Sequence, residues 1–498
     1  MFMGTQLFAG GGRQAPADGR LNVMMWTRDI ADFANMQYYR ELEEATGIPI
    51  NLNAIDGSEW STRVNLMFAS GDYPDVILRG GIEVEQFGVD QGILIPLDDI
   101  IERYMPNYRA LLNRDPSLRD LMRASDGNTY YTGFLLPQNI NVEGHLFINQ
   151  AWLNQLGLPV PTTLAQFENT LRAFRDRIPN SIPFTGTWGG YESIFQFLSF
   201  WGIPYHGSWL HINDDHRVVS QLQHQNFRTA IETLSRWYNE GLIDVEVLTL
   251  DWRSYEARIN SGNVGTLWRW RMMAMGTPDN IVEQYVGILP ITAISGVRPQ
   301  VRRLLELPSR GAYITTAARD VERVARWIDA QYEFEMMANG YYGPFQLVNQ
   351  GGNIIRYGWE IAPNGRVDFH TGDVESIPNQ SAIHFFSGVE YFERFNMPPQ
   401  RVEKTDLSIM YTNAGMVETN SGQILQDLIT MSPADMDRRD LLSAQINTFV
   451  NESLNNFITS GVTDASWNTF QATLQNLRLD ELIRIHQTAY DRFRAARR

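Results

Sequence analysis

The residues that most invite a chemical reading are three histidines. His206, His211 and His216 fall within eleven positions, with Asp214 and Asp215 between them. Imidazole and carboxylate are donors that zinc takes, but the spacing matches neither HExxH nor any other paired-ligand pattern. Asn213-Asp214-Asp215 reads instead as a hairpin turn ahead of the strand Arg217-Val-Val-Ser220. No metal site is expected. Cysteine is absent, so the chain has no disulfide, thiolate ligand or cysteine nucleophile. Lys404 is the only lysine, and it sits in a polar stretch. There is no GxSxG elbow, no GxxxxGK[ST] loop and no GxGxxG after a strand. Among 57 acidic residues no pair stands apart as the acid and base of a glycosidase, and solvated surface carboxylates are the ordinary account. No catalytic residue and no cofactor is assigned.

Aromatic residues are the informative class. The chain has 13 tryptophans and 20 tyrosines, several at strand ends or in glycine-flanked loops. Trp26 ends an apolar run, Trp188 lies in Gly186-Thr-Trp-Gly-Gly190, Trp268 and Trp270 alternate with Arg269, and Trp359 follows Tyr357-Gly358. An indole face with polar donors nearby suits a sugar, whose C–H face stacks on the ring while Arg, Asp, Asn or Gln takes its hydroxyls. Packing is the competing account of every tryptophan. Trp152, Trp237 and Trp327 lie in helical patterns and are assigned to the core.

These side chains need a frame. With 498 residues the chain is long enough for two or three domains. A net charge of −16 offers no basic field for nucleic acid, and no apolar run is long enough to span a membrane. Leu21–Trp26, Ile48–Ile55 and Asp75–Leu78 read as strands, separated by helices over Phe33–Thr46 and Glu59–Ser70. Such alternation predicts βαβ units and a mainly parallel sheet. Ligands bind such sheets at the carboxyl ends of strands, which points to Trp26–Asp29, Asp56–Ser58 and Arg79–Gly81. Further on, a strand and a helix stopped by Gly157 precede a helix capped at Thr163, and Asn226–Ile243 is amphipathic. Asn263–Trp270 reads as a strand, Arg319–Met337 as a helix, and Arg401–Arg498 as mostly helical. Leu7-Phe8-Ala9 with Gly10-Gly11-Gly12 reads as the end of an export signal, and residues 1–20 as its remnant plus a flexible leader.

Five stretches, taken in order, resemble one family. They are VNLMFASGDYPDVI (Val64–Ile77), INQAWLNQLGLPVPTT (Ile148–Thr163), YNEGLIDVE with NSGNVG (Tyr238–Glu246, Asn260–Gly265), ARWIDAQY (Ala325–Tyr332) and LRLDELIRIHQTAYDRF (Leu477–Phe493). The pattern resembles the family 1 extracellular solute-binding proteins of ABC importers, in the subgroup tied to oligosaccharide uptake. The lipobox cysteine for a lipid tether is missing.

The resemblance implies an α/β, two-lobed periplasmic-binding-protein-like fold of type II, with a hinge between the lobes and a helical C-terminal region. Residues 21–134 with 308–385 would form one lobe, and 135–307 with 386–498 the other. Chain crossings are expected near Tyr131–Gln138, Arg303–Gly311 and His384–Phe395. The implied function is the extracytoplasmic substrate-binding component of an ABC importer, closing on an oligosaccharide or other polar solute without chemistry. The implied ligand contacts are Trp26, Arg28, Asp29, Asp56, Arg79, Gly80, Gln138, Trp188, Trp268, Trp270, Tyr342 and Trp359. The partners would be ABC permease subunits and no nucleic acid. A periplasmic, secreted or cell-surface monomer is expected. A glycan-active hydrolase or lyase, or a sensing receptor without transport, would share the same aromatic-rich surface.

Overall fold

A computed structural model describes residues 19–27, 33, 36–114, 116–134, 142, 144–190, 192–272, 277–303, 309–342, 345–348, 354–357, 359–369, 394, 396, 399–420, 424–427 and 431–495. Its internal contacts divide the chain into two units, Met1–Leu135 with Pro308–Ser387 and Leu136–Leu307 with Gly388–Arg498. The leader up to residue 18, and residues 135–138, 304–308 and 384–393 of the expected crossings, lie outside the described residues.

Unit 1 is built on a four-stranded sheet. Strand β1 (Leu21–Thr27) is apolar along most of its length and buried on both faces, as a central strand must be. Helix α1 (Gln37–Thr46) buries Tyr38, Tyr39 and Leu42, and β2 (Ile50–Asp56) follows as the edge strand with alternating exposure. Helix α2 (Trp60–Ser70) then leads to β3 (Val76–Leu78). Helices α1 and α2 each stop at a glycine in left-handed conformation, Gly47 (φ 68°) and Gly71 (φ 73°), where a side chain would be strained. β1 pairs in parallel with β2 and β3, and the later strand Ala312–Ile314 closes the other edge antiparallel to β3. Helix α1 starts four residues later than the apolar spacing predicts; Met36 occupies its N-cap and Phe33 is buried ahead of it.

The helix expected over Arg319–Met337 is two helices, Val321–Ala330 and Phe334–Tyr342. Glu333 accounts for the break: its Oε2 accepts from the backbone N–H groups of Glu335 (2.9 Å) and Met336 (3.1 Å) and so caps a new helix. Asp329, at the end of the first, is buried and accepts from the N–H groups of Asn107 (3.2 Å) and Tyr108 (2.9 Å), the first turn of the helix Pro106–Arg114. Burial pushes its carboxyl above the usual range, and those N–H groups pull it back.

Unit 2 holds a second four-stranded sheet. β4 (His145–Asn149) runs into α3 (Gln150–Leu156), whose N-cap Asn149 accepts from Trp152 N. Helix α4 (Leu164–Arg177) opens with a full capping box between Thr163 and Gln166. β5 (Ile182–Thr185), β6 (Val264–Arg269) and β7 (Tyr285–Ile288) complete the order β7-β4-β6-β5. Only β5 and β6 are parallel; β4 pairs antiparallel with both β6 and β7. The mainly parallel expectation holds for unit 1 and fails here, where the central strand β4 runs antiparallel to both of its neighbours. The helix Phe227–Asn239 buries seven residues, Trp237 among them, and packs on the long helix Pro433–Ser460, where Ser235 Oγ donates to Ile458 O (3.1 Å). Trp152, Trp237 and Trp327 are core residues, as the helical patterns predict. Leu210–Ile212 and Val218–Ser220 form the hairpin anticipated from Asn213-Asp214-Asp215. The C-terminal region is helical, ending in Asp464–Asn476 and Leu479–Ala495.

No helix among the described residues is long and apolar enough to cross a membrane.

Candidate functional site

In unit 1 the register sets the site. Trp26 lies opposite Ile55, Thr27 opposite Asp56, and Met25 opposite Leu78. β1 and β2 therefore end level and β3 ends opposite Met25, two residues earlier, so Trp26 is the penultimate residue of β1, Asp56 the last of β2 and Arg79 the first past β3. Gly57 N donates to Thr27 O (2.8 Å), which folds the chain after β2 back over β1. A side chain at Gly57 would run into the Trp26 indole, so the ring rests against backbone. The Asp56 carboxylate accepts from Ser58 N (2.9 Å) and from the Ser58 hydroxyl.

Arg79 N donates to Gly311 O (2.7 Å), and Gly80 N turns back onto Leu78 O (2.9 Å). The Arg79 guanidinium carbon stands 5.5 Å from the centre of the Trp26 ring, within cation–π range. Trp60, the first residue of α2, fills the space beside Gly80 and donates its Nε1–H to Gly81 O (3.2 Å). Burial pushes the Tyr39 phenol well above its usual range, and the nearby Arg79 charge opposes that shift. Trp60 went unnoticed in the sequence because it falls inside a helical pattern; the glycines at 80 and 81 were the available signal that something large lies over that turn.

In unit 2 the residues follow β6. Trp268 is fully enclosed, with its ring edge-on to Phe197 (5.9 Å, 76°). The expectation of ligand contact at Trp268 is corrected: its ring is filled-in core. Arg269 is 1% exposed and pairs with Glu256, while its Nη1 donates to Thr277 Oγ1 (3.1 Å) and Met272 O (3.3 Å). Trp270, one residue past the strand, is 37% exposed, and the Arg271 guanidinium lies 5.9 Å from its ring centre. His145 Nδ1 meets Trp270 O (3.1 Å) and its Nε2 meets Ser408 Oγ (3.2 Å), so a buried imidazole anchors the backbone that carries the exposed indole.

Trp188 is half-buried. Its Nε1–H goes to Asn451 Oδ1 (3.2 Å) and its ring packs edge-on against Phe195 (4.9 Å, 78°). Trp359, in unit 1, is 4% exposed, donates to Asn339 Oδ1 (2.9 Å) and packs on Phe345 (4.8 Å). It too is a packing residue, which corrects the expected ligand role. Tyr342 ends the helix Phe334–Tyr342. Arg28, Asp29 and Gln138 lie outside the described residues.

A groove of about 1340 Å³ runs along β2 in unit 1, lined by Asn22, Asn51, Asn53, Arg63 and Tyr73 among others, but it takes in neither Trp26 nor Arg79. The histidines are held by protein partners: the buried His206 meets Glu418 Oε2 through Nε2 (3.0 Å), and its ring lies parallel to that of the half-buried His211 at 6.3 Å. Among the described residues no group of three or more metal-ligating side chains is arranged to hold an ion.

Comparison with known proteins follows the same lines. A family model described as bacterial extracellular solute-binding protein matches residues 29–333. FusA of Streptococcus pneumoniae serotype 4, a fructooligosaccharide ABC transporter substrate-binding protein, is 27% identical over 481 residues, 92% of this chain and 87% of its own length. The structure of FusA in complex with kestose matches with a TM-score of 0.81 at 23% identity, covering 96% of this chain and 100% of that one. An HMO-binding, ABC-transporter-associated solute-binding protein from Bifidobacterium longum infantis matches with a TM-score of 0.76 at 19% identity, covering 95% and 99%. The structural likenesses carry the fold, the two-domain α/β architecture of type II binding proteins. The chain belongs to the bacterial extracellular solute-binding protein family.

Proposed function

We propose that this protein is the extracytoplasmic substrate-binding component of an ABC importer and that it binds an oligosaccharide without converting it. The observation that carries the reading is the Trp26–Arg79 pair at the carboxyl ends of parallel strands, where α/β sheets take their ligands. A flat indole beside a planar guanidinium matches the two aspects of a pyranose or furanose, an apolar C–H face and a rim of hydroxyls. Trp270 with Arg271 repeats that pairing in unit 2. The substrate class is supported by FusA, whose name gives fructooligosaccharide and whose structure holds kestose.

Asp56, Gly80 and Trp188 are proposed as supporting contacts, with Arg28, Asp29, Gln138 and Tyr342 as further candidates on position alone. Binding requires the ligand to favour one state of the protein by its differential affinity, and a full population reversal takes about 5.5 kcal/mol. Stacking at about 0.5–1.5 kcal/mol per ring, with several hydrogen bonds at about 0.5–1.5 each, reaches that range. Permease subunits are the proposed partners, and the protein acts outside the cytoplasm as a monomer.

Titration of the purified protein with kestose and longer fructooligosaccharides tests the reading, by calorimetry and tryptophan fluorescence. Saturable binding without new reducing ends is expected. No heat and no fluorescence change across a broad oligosaccharide panel would overturn it, and released reducing ends would move the protein to the hydrolases.

A further inference from the structure

The groove along β2 takes no part in the site above. A sheet edge exposes backbone N–H and C=O groups, and proteins shorten, cover or interrupt their edges because an open one recruits another strand. The two four-stranded sheets have four edges. Three of them are short, and each receives a bond from another segment. The three-residue strand Ala312–Ile314 takes Ile95 N on Ile314 O (2.9 Å). The four-residue β5 contains Pro183 and takes Asp244 N on Phe184 O (2.9 Å). The four-residue β7 takes the Tyr411 hydroxyl on Ile288 O (2.7 Å).

β2 is different. Its seven residues, Ile50-Asn-Leu-Asn-Ala-Ile-Asp56, pair with β1 in unbroken register and include no proline and no basic residue. Leu21 N donates to Pro49 O (3.0 Å) and Gly57 N to Thr27 O (2.8 Å), so the odd-numbered positions face β1. The intervening residues of a parallel pair turn their backbone groups the other way. Ile50 O on that outer side is taken by Arg20 Nη1 (3.1 Å). Leu52 and Ala54 likewise direct N–H and C=O away from β1, and among the described residues no strand pairs with that edge.

The surroundings fit an extended chain. The groove follows the strand, and seven residues in extended conformation reach about 23 Å. Asn51 and Asn53 line it with their amides, Asn51 Nδ2 donating to Asn22 Oδ1 (3.2 Å), and Leu66 of α2 lines it while 60% exposed. Its two ends differ in charge. Arg20 stands at the Ile50 end, and Glu59, whose N–H donates to Asp56 O (2.9 Å), at the other.

We propose that the outer edge of β2 is a docking site for an extended segment of another polypeptide, which adds a fifth strand to the unit 1 sheet. The segment pairs its backbone with Leu52 and Ala54, covers Leu66 with apolar residues at alternate positions, and carries an acidic residue toward Arg20 and a basic one toward Glu59. Backbone pairing supplies affinity in this mode, and the alternate side chains and end charges select the partner. The groove takes in neither Trp26 nor Arg79, so docking stands or falls independently of saccharide binding.

The probe that tests this is a fluorescein-labelled peptide, Glu-Val-Thr-Val-Thr-Val-Arg. Its control has both threonines replaced by proline and cannot form a regular strand. Full-length wild type, Ala54→Pro and Leu66→Asp are titrated with both peptides by fluorescence anisotropy, and each protein is melted. Proline at position 54 removes an outward N–H and leaves the ladder to β1 in place. Wild type is expected to bind the probe saturably. The control peptide, and the probe on Ala54→Pro, should bind about 10-fold more weakly, and Leu66→Asp should weaken the probe several-fold at an unchanged melting temperature. If Ala54→Pro melts several degrees lower, Leu66→Asp decides, and unaltered probe affinity in it overturns the inference. A probe that fails to bind wild type, or binds all three proteins within twofold, also overturns it. So does self-association of the wild type that Ala54→Pro abolishes, which would give the edge to a second copy of this chain.

Discussion

The Trp60 indole occupies the space that any side chain at Gly80 would need, and it donates to the carbonyl of Gly81, the next residue. The helix that follows β2 thus clamps the turn that follows β3. Replacing Gly80 by alanine forces the ring or the turn to shift. Overpacking of this kind costs about 1–3 kcal/mol. The urea midpoint of Gly80→Ala should fall accordingly, and saccharide affinity should fall with it because Arg79 is adjacent. An unchanged midpoint would show that the ring has room to move.

Trp268 and Trp270 are two residues apart and have opposite roles. Trp268→Ala removes a fully enclosed indole and should cost about 3–5 kcal/mol of stability. Trp270→Ala removes a 37% exposed ring and should leave the melting temperature near that of wild type while weakening saccharide binding by about 1–3 kcal/mol. Paired melting and titration measurements separate the two, and a destabilised Trp270→Ala with unaltered affinity would reassign that ring to packing.

Glu418 ties distant parts of unit 2 together. Its Oε1 accepts from Arg303 N (3.0 Å) and its Oε2 meets His206 Nε2 (3.0 Å), with Glu418 5% exposed and His206 fully buried. Alanine would leave the buried His206 without its partner, at about 1–3 kcal/mol, and would also remove the acceptor of Arg303 N. Glutamine retains one acceptor and should cost less. Chemical unfolding of both variants checks the order, which should be wild type, then Glu418→Gln, then Glu418→Ala.

Two histidines with lowered pKa values, the half-buried His211 and the buried His486, predict acid sensitivity. Burial, with His206 and His224 adding to it, lowers His211 to about 3, and burial with Arg439 lowers His486 to about 4 against the opposing charge of Asp440. Both are neutral in the folded protein at pH 5, whereas the unfolded chain takes up protons there. Their contribution is complete above pH 6.5 and is lost as the pH falls toward 4 and 3. Each should remove about 2 kcal/mol between pH 7 and pH 5. His211→Asn and His486→Gln should each flatten the pH dependence of the urea midpoint over that interval; parallel slopes would contradict it.

The sequence carried much of this. Period-two and period-3.6 patterns, glycine stops and the Thr163 cap located most strands and helices, since burial of one face imposes that spacing and an unsatisfied helix end demands a cap. The strand-end rule led to Trp26, Asp56 and Arg79 because parallel strands in register bring consecutive loops to one edge. The break at Glu333 was hidden, because glutamate is a good helix former and becomes a cap only when its carboxylate turns back on its own backbone.

The fate of individual indoles was settled only in three dimensions. Trp268, Trp270 and Trp359 all sit at strand ends or beside glycine, and local pattern treats them alike. Whether a ring is enclosed depends on what arrives from far along the chain: Phe197 at Trp268, Asn339 at Trp359, and His145 with Ser408 beneath the backbone of Trp270. The same holds for the left-handed backbone of Arg79. The two glycines after it announce a tight turn, but the strain falls on the arginine because Gly311 fixes its N–H from one side while Trp60 takes the space at the next residue. Composition and spacing determine which side chains are available at a strand end; the packing of remote segments decides which of them still face outward.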